Sequence, residues 1–272
     1  MSLRKIIKNL LLAKGYHLLR RYYYDFEGNK SIRKILNLAN IELDSLVVFD
    51  VGANVGQSVD RFREFSKKAQ IYSFEPNPEV FEHLNKKRES DNYLNCFNLG
   101  IGSQNGTLKF NIQPDSGSSS FYKIDTASEG FKLNSTEEAV QNYNKTTLKQ
   151  NVNYNTEIEV NVKTLDSVFE NEMPEMIGLL KIDTQGYEEE VLIGASNILS
   201  RTLIVEAEVM FSGIYEKSSS LHGIQKILEK HGFVLWDIPY IGKFPDEKID
   251  RINFIDAIFV NQRILKEKRN LS

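Results

Sequence analysis

Three acids stand where apolar runs stop. Leu46-Val47-Val48-Phe49 leads into Asp50 and the turn Val51-Gly52-Ala53-Asn54-Val55-Gly56. Ile71-Tyr72-Ser73-Phe74 leads into Glu75-Pro76, and Leu180-Lys181-Ile182 into Asp183-Thr184-Gln185-Gly186. A glycine turn after one buried strand and a carboxylate after the next are the parts of a nucleoside pocket. Gly52 and Gly56 let the backbone curl against a ligand, and the helix beyond them offers free N–H groups to an anion. Glu75 is placed to accept both ribose hydroxyls. Asn54 stands where a dinucleotide fingerprint has its middle glycine, and no Gly-Lys-Ser/Thr follows. The turn is therefore neither a pyrophosphate loop nor a phosphate loop, and an adenosine without a pyrophosphate fits better. Asp50 is placed to hold an ammonium through water, so the ligand reads as an amino acid joined to adenosine, namely S-adenosyl-L-methionine. For the glycines alone, a tight strand–helix turn without a ligand remains open.

The elements that would position these residues alternate. Strand signals fall at 46–50, 70–74 and 94–98, with helices near 57–67 and 78–88 between them. Pro78 opens the second helix, where its missing N–H does no harm. Thr107–Ile112 alternates like an exposed strand and is expected to pair with Glu157–Val162. Strands at Ile177–Ile182 and Thr202–Ala207 flank a helix at Glu188–Leu199; a last helix, Ser220–His231, precedes strands at Phe233–Ile238 and Phe254–Val260. The turn-rich link between those two strands predicts an antiparallel end to the sheet. This pattern predicts an α/β fold with an open, mostly parallel sheet, whose ligands bind outside the carboxyl ends of the strands. Residues 1–44 read as a helical N-terminal extension and 45–272 as one domain, with 113–156, rich in Ser, Asn, Thr and Gly, as a polar insertion or lid.

Composition narrows the class. The chain has 272 residues, 41% of them hydrophobic, enough for one large core. A net charge of -3 gives no basic face for nucleic acid. The single cysteine, Cys96, excludes an internal disulfide and a cysteine-built metal site; it reads as a buried strand thiol in a reducing, cytoplasmic setting. The apolar run Leu10–Ala13 is too short for a signal core or a membrane span. Arg4, Lys5, Lys8 and Lys14 accompany Leu3, Ile6, Ile7, Leu10 and Leu11 at helical spacing. That stretch reads as a helix packed on the domain, with peripheral contact to an anionic membrane as the alternative. Oligomeric state is not written in the sequence.

Phe49-Asp50-Val51-Gly52-Ala53-Asn54-Val55-Gly56-Gln57 and Phe74-Glu75-Pro76-Asn77-Pro78 resemble the FkbM-type family of S-adenosylmethionine-dependent methyltransferases. Asn98-Leu99-Gly100-Ile101-Gly102-Ser103, the serine loop Gly117-Ser118-Ser119-Ser120, Val162-Lys163-Thr164-Leu165-Asp166 and Leu180-Lys181-Ile182-Asp183-Thr184-Gln185-Gly186-Tyr187-Glu188 are similar to further family segments, in order. Gln185 departs from the glutamate usual in the family. The resemblance implies a Rossmann-like class I methyltransferase fold with a seven-stranded sheet, an antiparallel terminal strand and helices on both faces. It implies cofactor contacts at Asp50, Gly52, Asn54, Gly56, Glu75, Pro76, Gly100, Ile101 and Asp183. It also implies methyl transfer to a hydroxyl, often of a sugar or glycan, with a lipid-linked or non-sugar acceptor, or a silent cofactor-binding scaffold, as alternatives.

A sugar hydroxyl is a poor nucleophile, so a base is expected to help. Asp183 ends its strand facing the crevice; Glu206 and Glu208 share one face of the next strand; His222 opens a helix after a serine run. These four are the catalytic candidates. Asp183 with Glu206 or Glu208 could also offer oxygens to a divalent metal, but no spacing demands one and no metal ligand is assigned. Phe121, Tyr122, Tyr143 and Tyr154 in or beside the insertion are candidates to stack on a sugar ring.

Overall fold

A computed structural model of the chain describes residues 27–135, 153–244 and 250–270. The basic stretch at the N-terminus and Tyr143 lie outside these residues. The described part of the first helix, α1, is residues 27–38. There follow β1 (Val47–Val51), α2 (Gln57–Phe65), β2 (Gln70–Phe74), α3 (Pro78–Arg88), β3 (Leu94–Phe97), β4 (Gly100–Ile101) and β5 (Gly106–Ile112). After the short helix α4 (Glu129–Asn134) come β6 (Thr156–Lys163), α5 (Leu165–Val168), β7 (Ile177–Ile182), α6 (Glu188–Ile193), α7 (Ser196–Leu199) and β8 (Thr202–Met210). α8 (Leu221–Glu229), β9 (Phe233–Lys243), β10 (Ile252–Asn261) and α9 (Gln262–Asn270) close the chain.

Seven strands form one sheet in the order β3-β2-β1-β7-β8-β10-β9. β1, β2, β3, β7 and β8 pair in parallel, whereas β10 is antiparallel to both β8 and β9. The antiparallel strand is thus last in the chain but second from the edge. β4 joins β6, which pairs with β5 along Thr107–Ile112 as expected, in a separate three-stranded sheet.

Each face of the large sheet carries its own core. On one side Ile32, Ile35 and Leu36 of α1, Phe62 of α2 and Leu84 of α3 cover Val48, Ile71 and Ile204. On the other, Val191, Ile198, Ile224 and Leu228 of α6, α7 and α8 cover Phe49, Leu180 and Val205. β7 is buried at all six positions, as a central parallel strand must be.

The helix expected over 188–199 is two helices. Gly194 lies so near the neighbouring backbone that a Cβ on it would stand 2.0 Å from the Gly102 carbonyl oxygen. Beyond it, Asp166 starts α7 by accepting from the N–H groups of Asn197 and Ile198 at 2.9 and 3.0 Å. Cys96 is half-buried on β3 rather than buried, and burial pushes its thiol up to about 11.

Candidate active site

Where β1 and β2 end, the chain builds a cradle from backbone. The Gly52 and Ala53 N–H groups both donate to the Phe74 carbonyl, at 3.1 and 3.0 Å. Gly52 has φ 80°, and a Cβ there would meet the Asp183 carbonyl oxygen at 1.9 Å, so no other residue fits where the turn crosses the end of β7. Glu75 ties the two strand ends together. Its Oε2 accepts from the Asn54 N–H at 3.0 Å and its Oε1 from the Asn77 N–H at 2.8 Å. Burial pushes its carboxyl up to about 7, against the pull of those two bonds. Asn98, just after β3, fixes the same segment by donating to the Glu75 and Pro76 carbonyls at 2.9 and 3.1 Å.

A cavity of about 290 Å³ opens over this cradle. Its floor and walls come from Gly52, Asn54, Glu75, Pro76, Gly100 and Ile101, with Gln57, Ser58 and Arg61 of α2 on one side. Lys181, Asp183, Thr184 and Gln185 close the β7 end, and Phe110 and Phe121 supply apolar faces. The serine loop lies across the top. Ser116 donates to Asn54 Oδ1 at 3.1 Å, Ser120 to the Gln185 carbonyl at 2.9 Å, and the Tyr215 hydroxyl to the Ser118 carbonyl at 2.8 Å.

Beneath the cavity the strand register lines up opposite charges. Asp50 of β1 sits beside Lys181 of β7, and Lys181 beside Glu206 of β8. The Lys181 Nζ lies 3.8 Å from Asp50 and 3.2 Å from Asp183. Burial opposes its charge, but Asp183 and Asp50 outweigh burial and raise its pKa. Asp50 is fully buried, and desolvation raises its pKa in spite of Lys181 and Arg61. Glu206 forms a buried two-point pair with the Arg61 guanidinium.

The Asp183 side chain is 31% exposed at the cavity wall. Burial opposes its charge, but Lys181, the Gln185 amide and Glu208 together lower its pKa. Gln185 Nε2 donates to Asp183 Oδ1 at 2.9 Å and to Glu208 Oε2 at 2.5 Å. Burial, then Asp183 and Asp256, push Glu208 well above the carboxylate range.

The structure thus brings Gly52, Asn54, Glu75, Pro76, Gly100, Ile101 and Asp183 to one cavity. It places others elsewhere. Asp50 lies under the cavity among its charged neighbours, and Gly56 starts α2 facing Lys87. Glu206 is occupied by Arg61, and Glu208 reaches the site through Gln185. His222 is exposed on the first turn of α8, whose buried side is Ile224 and Leu228. Among the stacking candidates, Phe121 lines the cavity and packs on Tyr187, while Tyr154 packs on Phe131 away from it. Arg61, Lys181 and Phe110 were not legible as site residues. Lys181, a lone lysine in an otherwise apolar strand, was the available signal. Glu188 was likewise missed: its Oε1 accepts from the Thr184 and Gly186 N–H groups and the Thr184 hydroxyl, each at 3.0 Å, and so shapes the loop that carries Gln185. Among the described residues no group of three or more His, Cys, Asp or Glu side chains is arranged to hold a metal ion. No described helix is long and apolar enough to cross a membrane.

A mostly parallel sheet of this order, with Glu75 after β2 lining a cavity at the end of β1, is the fold of a class I methyltransferase. More narrowly, the chain belongs to the FkbM methyltransferase family, whose domain matches residues 50–235. It is 26% identical over 72% of its length to the 2-O-methyltransferase NoeI of Sinorhizobium fredii, covering 75% of that protein. It is also 26% identical over 68% of its length to the hexuronic acid methyltransferase AglP of Haloferax volcanii, covering 64% of it. Among solved structures, the methyltransferase FkbM of Methylobacillus flagellatus superposes with a TM-score of 0.47 at 13% identity, over 80% of this chain and 44% of that one.

Proposed function

We propose that the chain transfers a methyl group from S-adenosyl-L-methionine to a hydroxyl of a sugar or glycan. The observation that carries the reading is the pair of carboxylates across one cavity: Glu75, with both oxygens held at the cradle, and Asp183, partly exposed at the opposite wall. Each Glu75 oxygen accepts one backbone N–H and keeps capacity for a second donor, which suits the two hydroxyls of a ribose. Phe110 and Phe121 offer apolar contact to a base ring. When bound, the cofactor supplies a methyl group on a positively charged sulfur. Asp183, held ionised by Lys181 and Gln185, would take the proton of an acceptor hydroxyl at its carboxylate. Gly52, Asn54, Pro76, Gly100 and Ile101 shape the cofactor's bed; Asp50 acts from below by keeping Lys181 charged. Glu206 serves the fold through Arg61. The acceptor class draws on the two relatives named for 2-O-methylation and for hexuronic acid, and on a wall rich in hydrogen-bonding groups.

The test has two arms. Calorimetry with S-adenosylhomocysteine, against NAD as control, is expected to give heat with the first alone. Methyl transfer to p-nitrophenyl glycosides of hexoses, deoxyhexoses and hexuronates then identifies the acceptor. Asp183→Asn should lower kcat by about 10²–10⁴-fold while still binding S-adenosylhomocysteine. An Asp183→Asn enzyme as fast as the parent would remove the base from this reading; absence of heat with S-adenosylhomocysteine would remove the reading itself.

A further inference from the structure

Gln185 joins the cavity to the acids behind it. Its backbone is left-handed, φ 56°, just ahead of Gly186 at φ 99°, and this turns the side chain back over the end of β7. One amide hydrogen goes to Asp183 Oδ1 at 2.9 Å and the other to Glu208 Oε2 at 2.5 Å. The amide oxygen takes the Tyr215 hydroxyl as a neighbour at 3.2 Å. These contacts fix the amide's orientation, because reversing it would set its oxygen against the Asp183 carboxylate. On the far side of Glu208 the register of β8 and β10 places Asp256 directly opposite.

We propose that Gln185 is a positioning residue for methyl transfer: its amide, bonded at once to Asp183 and to Glu208, holds the Asp183 carboxylate in place. The inference rests on the reading of Asp183 as the base.

The charges around the amide explain why it is needed. On the strands or just past their ends, Asp50, Asp183, Glu206, Glu208 and Asp256 are five acids facing two cations, Lys181 and Arg61. Glu188 of α6 adds a carboxyl that raises Glu208 further, and Tyr215 stays a neutral hydroxyl, its pKa raised by burial and then by Glu208, Glu188, Asp183 and Asp115. Two cations cannot neutralise the strand acids, so the interior must keep protons. Burial and then Glu206 and Asp183 raise the Asp256 pKa, and its Oδ2 lacks any hydrogen-bond partner. An amide between Asp183 and Glu208 supplies two donors at every pH without adding charge. A glutamate in that place would supply a donor only when protonated, and would add a further acid to the group.

The test compares Gln185→Glu, Gln185→Met and Asp183→Asn with the parent. It measures kcat and KM against pH on the p-nitrophenyl glycoside that reacts fastest, and S-adenosylhomocysteine affinity by calorimetry. Gln185→Glu is expected to move the acid limb of kcat upward by about one pH unit. It should lower kcat at neutral pH roughly tenfold or more, leaving cofactor affinity nearly unchanged. Gln185→Met, which keeps the bulk and adds no charge, should lower kcat rather than raise KM, with a smaller shift of the same limb; it carries the test if Gln185→Glu does not fold. Parental pH profiles in both Gln185 variants, alongside an inactive Asp183→Asn, would overturn this inference and leave the base reading standing. Loss of cofactor affinity in step with kcat would also overturn it, by making Gln185 part of the cofactor's bed. An active Asp183→Asn would instead remove the base on which it rests.

Discussion

Glu75 shows how much one buried acid can govern. It is 6% exposed, and burial rather than a neighbouring charge is the main reason its carboxyl titrates near neutrality, at about 7. Ribose hydroxyls donate hydrogen bonds, so they bind the ionised carboxylate better than the neutral acid. The ionised form is the one lost as pH falls through that value. S-adenosylhomocysteine affinity should therefore be flat above about pH 8 and weaken roughly tenfold per unit below pH 7. Glu75→Gln should bind roughly 10–100-fold more weakly above pH 8, because charge-assisted bonds are lost and an amide hydrogen now faces a backbone N–H. It should also lose the pH dependence. Calorimetric titrations at pH 6, 7 and 8 on both proteins decide this; a parent whose affinity does not change between pH 6 and 8 would refute it.

At the scale of elements, close backbone crossings decide where helices stop and where the site can form. Gly194→Ala would push a methyl group into the Gly102 carbonyl, with Thr164 Cβ already 3.2 Å away. Overpacking of this kind costs about 1–3 kcal/mol. The variant should fold with a lower urea midpoint, and its cofactor affinity should fall too, since Gly102 directly follows the Gly100–Ile101 wall of the cavity. An unchanged midpoint would mean that α6 and α7 are not held apart by this contact. The same crossing marks the limit of what periodicity could reveal. Apolar runs ending on Asp50, Glu75 and Asp183 made the strands and their order in the chain legible, with most of the residues that meet at the cavity, because those signals are local. The break at Gly194, the Arg61–Glu206 pair and the Gln185 bridge depend on which elements meet in space. Glu206 and Glu208 looked equivalent from strand alternation, and they do share a face. Only the approach of α2 on one and of Gln185 on the other gives them different roles. His222 failed for the opposite reason: its local setting after a serine run was suggestive, but α8 buries Ile224 and Leu228 and turns the histidine outward.

For the whole molecule, the acids collected at the carboxyl ends of the strands couple stability to pH and to the ligand. Burial raises Glu75 to about 7 and Glu188 to about 6, and raises Asp50, Glu208 and Asp256 as well. In the unfolded chain these groups titrate near pH 4. Between there and the values of Glu188 and Glu75, the folded protein holds protons on these two acids that the unfolded chain has released. Stability therefore falls as pH rises through this window, by up to ~1.4 kcal/mol per unit for each such proton. Asp183 and Glu157 are lowered instead, so their contribution is present at neutral pH and lost only in stronger acid, below the window that matters here. The ligand-free protein should accordingly unfold at less urea at pH 7 than at pH 5. Saturating S-adenosylhomocysteine should flatten that decline, because it binds ionised Glu75 and adds more stability as pH rises. Urea midpoints at pH 5, 6 and 7, with and without the ligand, test both parts. A ligand-free midpoint that climbs from pH 5 to 7 would mean that the buried acids do not keep their protons in the folded state. A decline that the ligand leaves untouched would place its hydroxyls somewhere other than Glu75, since ligand and proton could compete only at a shared carboxylate.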